Sequence, residues 1–170
     1  KKSHPKKFKS TELYVPKFDI FSNKCMKNFQ NELEIIYDGH TNTSGNISIY
    51  HLKSNTLFSG GIILNNFIPD IRYSDYINWI KVLTKLKNRK INYIVPSYGK
   101  ISTKKQIDET INYLEDLNEI TKNLYNRNYG LVDTLANSEI TKYKKFKKYR
   151  SHHKSNILRR YLAIEKEDFN

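Results

Sequence analysis

The sequence offers little sulfur. Cys25 is its one cysteine, which excludes an internal disulfide and a cysteine-cluster zinc site within one chain. Cys25 has no histidine or CxxC context, so it reads as an idle or buried thiol rather than a nucleophile. Four prolines and six glycines in 170 residues are too few for a long disordered linker. Apolar residues make up 38% of the chain and nowhere form a run of about 18, so no membrane span is indicated. No Ser-His-Asp order, phosphate-binding loop or glycine-rich dinucleotide turn is present, and no cofactor is expected. The chain also lacks an initiator methionine and an apolar leader. We read it as processed or partial; together with a composition rich in lysine and asparagine, this points to an organelle, the mitochondrion.

What is present in excess is positive charge, +13 in all. It gathers at the ends. Residues 1–30 carry eight lysines and two acids, residues 31–136 carry twelve basic and eleven acidic residues, and residues 137–170 carry ten basic and four acidic ones. A near-neutral body with two basic ends expects an anionic partner at the ends. Candidate phosphate contacts are Lys142, Lys144, Lys145, Lys147, Lys148, Arg150, Lys154, Arg159 and Arg160, a stretch without an acid. Tyr143, Phe146 and Tyr149 are interleaved there at a spacing of three. Two readings stand: rings for base stacking above a phosphate-binding face, or a stripe packed on the body beneath solvated lysines.

The apolar periodicity gives the organisation. Short strand candidates at 12–15 and 18–21 are separated by Pro16. Residues 32–37 read as a strand, followed by a strand through 47–52 and a second in the stretch 55–61 that ends in glycines, with Ser54-Asn55 as the turn between them. Ile47 and Ile49 alternate with Ser48 and Tyr50. Tyr76, Trp79, Ile80, Leu83 and Leu86 recur at helical spacing, and 91–95 is a short buried strand ending at Pro96. A helix is predicted from about 103, where Thr103 and Gln106 have capping-box spacing, to a stop at 126–130. A helical turn follows at 131–136, and a last helix spans 155–165. The expected domains are a basic arm at 1–10, a body at 11–136 and a basic tail with its helix at 137–170. Ile47, Ile49, Leu57, Phe58, Ile94 and Val95 are expected buried in one sheet with Trp79 against it.

Three motifs punctuate the body: Gly39-His40-Thr41-Asn42-Thr43-Ser44-Gly45-Asn46, Leu57-Phe58-Ser59-Gly60-Gly61 and Val95-Pro96-Ser97-Tyr98-Gly99. In order and spacing they resemble the second half of the metallo-beta-lactamase superfamily, where a Gly-x-x-His-Thr-x-Gly-Asp turn, a Leu-Phe-x-Gly-Asp strand end and a Val-Pro-Gly-His-Gly strand end supply metal ligands. The ending His153-x-x-Asn156-Ile157-x-Arg159-x-Tyr161-Leu162 is similar to the last helix of its quinoprotein relay system zinc metallohydrolase branch. The resemblance covers about residues 12–165 and implies an α/β fold: the C-terminal half of an αβ/βα sandwich, with basic extensions at both ends.

The resemblance places Asn42, Gly61 and Tyr98 at the three ligand positions and Asn46 at the aspartate of the first turn. The family's His-x-His-x-Asp-His motif occurs nowhere in the chain. A neutral amide, a glycine and a phenol are poor zinc donors. Asp38 and His40 are the remaining metal candidates, should the turn rearrange. The expectation is a catalytically inactive, metallo-beta-lactamase-like subunit of a larger assembly, an RNA-contacting component of an organellar ribosome. Other protein chains would cover the sheet face that half a sandwich leaves open. Two alternatives stand beside it: a zinc hydrolase completed by a missing half, and an accessory subunit of a membrane enzyme complex whose basic ends touch acidic protein or lipid.

Overall fold

The computed structural model describes residues 14, 20, 22–25 and 32–169. The basic arm at 1–10 and most of both early strand candidates lie outside the described residues. Five strands form one sheet in chain order: β1 (Lys24–Cys25), β2 (Leu33–Gly39), β3 (Asn46–His51), β4 (Thr56–Gly60) and β5 (Tyr93–Pro96). The first three pairings are antiparallel and β4 runs parallel to β5. A parallel pair needs a crossover, and α1 (Tyr76–Lys87) provides it. Three further helices follow: α2 (Lys105–Asn126), α3 (Leu131–Asn137) and α4 (Tyr149–Asp168).

Register assigns the two sheet faces, because residues opposite one another share a face. Ile36 with Ser48, Tyr50 with Leu57, and Leu57 with Ile94 lie on the helix-covered face. Leu57 and Ile94 join Trp79, Leu83, Leu114 and Leu117 in one core. Its polar members are tied down. The Trp79 indole N–H donates to the Ile62 carbonyl at 3.0 Å, and the Tyr50 hydroxyl donates to the Lys90 carbonyl.

The opposite face holds Tyr37, Ile47, Ile49, Phe58 and Val95 in matching register. Here the expected core needs correction. All six sheet residues do share one sheet, but only Leu57 and Ile94 are buried. Ile47 is 38% exposed, Phe58 43% exposed, and Ile49 and Val95 are half-buried. The period-two alternation was legible; which face met the helices was not. Ser48, the polar alternate, points inward because its hydroxyl donates to buried Asp38 at 2.6 Å.

Two helix starts also differ. The capping box at Thr103 does not form. Lys104 takes the cap position with no side-chain cap bond, the Thr103 carbonyl accepts the Gln106 N–H, and the Gln106 amide donates to Glu109. The last helix begins six residues earlier than expected, at Tyr149, after Lys148 in the left-handed region at φ 66°. The stretch expected as a tail packs α4 on α2, with Tyr143, Tyr149 and Ile157 inside the common core.

Candidate functional site

Because β4 and β5 are parallel neighbours, the chain leaves both at the same edge of the sheet. Gly61 follows β4 directly and Tyr98 lies two residues beyond β5. The turn between β2 and β3 brings Asn42 to the same place. All three line one cleft of about 460 Å³, together with Arg72, Lys148 and His152. The Tyr98 loop is pinned beneath: the Asn65 N–H donates to the Tyr98 carbonyl at 3.1 Å. A Cβ on Gly99, at φ +99°, would lie 2.3 Å from the Asn65 carbonyl oxygen.

Asn42, Gly61 and Tyr98, the positions the motifs singled out, thus converge on one cleft. A Cβ at position 61 would lie 2.7 Å from Asn42 Nδ2, so the asparagine amide fills the space of the missing side chain. Asn42 Oδ1 is buried without a partner. Asn46 holds the turn, its amide donating to Thr41 Oγ1 at 2.8 Å and the Thr43 carbonyl at 2.6 Å.

Asp38 and His40 are engaged separately. Asp38 is buried; loss of solvent pushes its carboxyl up to about 6 despite the opposing Ser48 hydrogen bond. His40 Nε2 donates to the Tyr73 carbonyl at 2.6 Å. Among the described residues no three His, Cys, Asp or Glu side chains group together. The donor set at this cleft therefore does not fit a zinc ion, and a metal centre here would need donors from outside the described residues.

The basic candidates divide into two groups. Lys142 pairs with Asp116 at 2.6 Å, Lys144 with Glu139 at 2.7 Å, and Arg160 with Glu167 at 2.9 Å and Asn118 at 2.6 Å. Arg159 is half-buried with an unpartnered Nε. Lys145, Lys147, Lys148, Arg150 and Lys154 are exposed and form no ion pair among the described residues.

The interleaved rings pack inward. Tyr143 donates to Asp116 at 2.5 Å and meets Tyr113 edge-on. Tyr149 stacks on His153 at 4.5 Å, and its hydroxyl accepts the Ile140 N–H. Both tyrosines are buried, and half-buried Phe146 meets Tyr143 edge-on at the rim of the core, so the stripe packs on the body.

The paired histidines also separate. His153 is buried against Tyr113 and the Ser138 carbonyl, and loss of solvent lowers its pKa. Asn156 donates to the Pro69 carbonyl and accepts the Ile71 N–H, bolting α4 to the loop before α1. The His153 and Asn156 motif is thus architectural. His152 instead lines the cleft, its Nδ1–H donating to the Ile68 carbonyl at 3.0 Å. Arg72, Tyr73 and Phe67 also line the cleft; no spacing in the sequence marks them, because the 62–75 loop has no periodicity to read.

No protein-family model matches the chain, and no curated protein is similar to it in sequence. Solved structures are similar. The DIM-1 metallo-beta-lactamase superposes with a TM-score of 0.54 at 18% identity, covering 66% of this chain and 55% of that one. A metallo-beta-lactamase from Pontibacter korlensis gives 0.51 at 19% identity, with 64% and 53% covered. The chain therefore carries a partial metallo-beta-lactamase fold and spans about half the length of the enzymes it matches. Among the described residues no helix is long and apolar enough to cross a membrane.

Proposed function

We propose that this protein is a non-hydrolytic interaction module, docked in a larger assembly through the open face of its sheet. The observation that carries this reading is the apolar row Ile47, Ile49, Phe58 and Val95, which no described element covers: Ile47 and Phe58 are exposed and Ile49 and Val95 half-buried, beside buried Ile35, while the other face packs against the helices. Isolated apolar side chains on a surface need no explanation; a continuous row across three strands does. The occupant is a second apolar β-sheet from another polypeptide, laid face to face as in a sandwich. The poor zinc donors in the cleft support the non-hydrolytic part.

The unpaired cations Lys145, Lys147, Lys148, Arg150 and Lys154 support RNA phosphate as the contact on the other side, within an organellar ribonucleoprotein such as a ribosome. A photo-crosslinker at position 58, in the native assembly, is expected to capture strand residues of a second protein. Unchanged incorporation of Phe58→Glu would overturn the docking. One observation favours a second reading, a zinc hydrolase completed in trans: Asn42, Gly61 and Tyr98 still share one cleft. Stoichiometric zinc in the purified assembly, lost on Tyr98→Phe, would select it.

A further inference from the structure

We propose that the cleft between Tyr98 and the start of α4 is a nucleotide site, taking a phosphate at Lys148 and a planar ring against Tyr98. This needs neither the second sheet nor general attachment to RNA. Its volume, about 460 Å³, falls within the usual range for small-ligand sites.

Charge comes first. The cleft holds two permanent cations, Arg72 and Lys148, and one acid, Asp70. Asp70 is already engaged by Arg72, through a 3.4 Å ion pair at one oxygen and the Arg72 backbone N–H at the other. Lys148 has no counterion among the described residues and lines a concave surface that raises local potential. His152 adds a nitrogen: its Nδ1–H is spent on the Ile68 carbonyl, which leaves Nε2 for a ligand.

Shape comes second. Tyr98 is 55% exposed and held against Phe67, which also lines the cleft, with ring centroids 5.4 Å apart. Phe67 is in turn fixed by a bridge to Lys147. A solvent-facing ring in the same cleft as a lysine that forms no ion pair among the described residues matches a flat aromatic group bearing a phosphate.

Backbone conformation is the third observation. Lys148 occupies the left-handed region, where lysine is disfavoured, and its side chain makes no capping bond there. Its carbonyl accepts the His152 N–H at 2.8 Å and the Ser151 N–H at 3.2 Å to start α4, a role any residue could fill; what lysine adds at this left-handed position is its charge at the cleft.

Two sources carry this chemistry: a free mononucleotide, or the phosphorylated end of an RNA chain. The full chain is titrated with adenosine monophosphate, adenosine, inorganic phosphate, and two matched oligoribonucleotides with and without a terminal phosphate. The single tryptophan, buried in the cleft wall, reports occupancy by fluorescence. Expected is saturable binding of adenosine monophosphate, about tenfold or more tighter than adenosine or phosphate alone.

Lys148→Gly relieves the left-handed strain, so the variant folds, and it should weaken binding about tenfold or more. Lys81→Gln and Lys122→Gln, exposed on α1 and α2 and outside the cleft, should leave it unchanged. Preference for the phosphorylated oligonucleotide over the mononucleotide assigns the site to an RNA end; the reverse assigns it to free nucleotide. No saturable response, or equal binding in wild type, Lys148→Gly and Tyr98→Ala, overturns the proposal. Since none of these variants touches the open sheet face, failure here leaves the docking reading standing.

Discussion

Asn42 and Gly61 compensate each other: the Asn42 amide nitrogen stands 2.7 Å from where the first side-chain carbon of residue 61 would be. The two positions thus fit each other as a pair, a small residue admitting its neighbour's side chain. Restoring one without the other is a packing problem before it is a metal problem.

Gly61 and Gly99 should therefore respond differently to alanine. At Gly61 the obstacle is the end of a side chain, which can swing away, so Gly61→Ala should cost no more than about 1 kcal/mol. Combining it with Asn42→Ala should recover part of that cost, a coupling of about 0.5 kcal/mol or more. At Gly99 the obstacle is the Asn65 backbone oxygen at 2.3 Å, and φ is +99°. Gly99→Ala should cost about 2–3 kcal/mol. Urea midpoints of the four variants check the ordering; equal losses at positions 61 and 99 would contradict it.

Two buried titrating groups give stability opposite slopes. Asp38, pushed up to about 6 by burial, holds its proton to higher pH folded than unfolded. Between about pH 4 and 6 the folded state binds more protons, so this term falls as pH rises, by at most about 3 kcal/mol. His153 runs the other way. Its folded pKa is lowered by burial, so the unfolded state binds the extra proton and stability is lost as pH falls below about 6.5. Asp38→Asn should remove the loss on the alkaline side, and His153→Gln the loss on the acid side. Denaturant titrations between pH 4 and 8 read both. An unchanged pH profile in Asp38→Asn would mean that its carboxyl is solvated.

The sequence made the elements legible wherever one face repeats. Trp79, Leu83 and Leu86 recur at helical spacing and α1 follows them; Ile47 and Ile49 alternate and β3 follows. Inside and outside were harder to tell. Ile47 and Phe58 look more like core than Ser48 does, yet Ser48 is buried because Asp38 accepts its hydroxyl, a pairing across ten residues that periodicity does not encode. The cleft was legible at Asn42, Gly61 and Tyr98 through motif spacing. Arg72 and His152 enter it only because Asn156 bolts α4 to the 68–71 loop, a long-range contact with no local signature.

The division of the basic residues yields a test of RNA attachment. If Lys145, Lys147, Lys148, Arg150 and Lys154 meet phosphates, each neutralisation should lower the slope of log affinity against log salt by about 0.7–0.9. Lys142→Gln and Lys144→Gln should change that slope little, since their charges are already met by Asp116 and Glu139. Filter binding to a single-stranded RNA across a salt series reads the slope. Equal effects from both groups would point to nonspecific attraction by net charge.

The last prediction concerns Phe58 and Leu57, adjacent on β4 and on opposite faces. Leu57 is fully buried and Phe58 is 43% exposed. In the isolated chain Leu57→Ala should cost about 2–5 kcal/mol, the price of a core cavity, whereas Phe58→Ala should cost about 1 kcal/mol or less. Once a second sheet covers Ile47, Phe58 and Val95, Phe58 becomes a core residue, and its truncation should weaken the complex by about 2–4 kcal/mol. Stability measured alone and affinity measured with the partner separate the two states. A Phe58→Ala loss as large as that of Leu57→Ala in the isolated chain would show that the face is already covered from within, and the docking surface would have to be sought elsewhere.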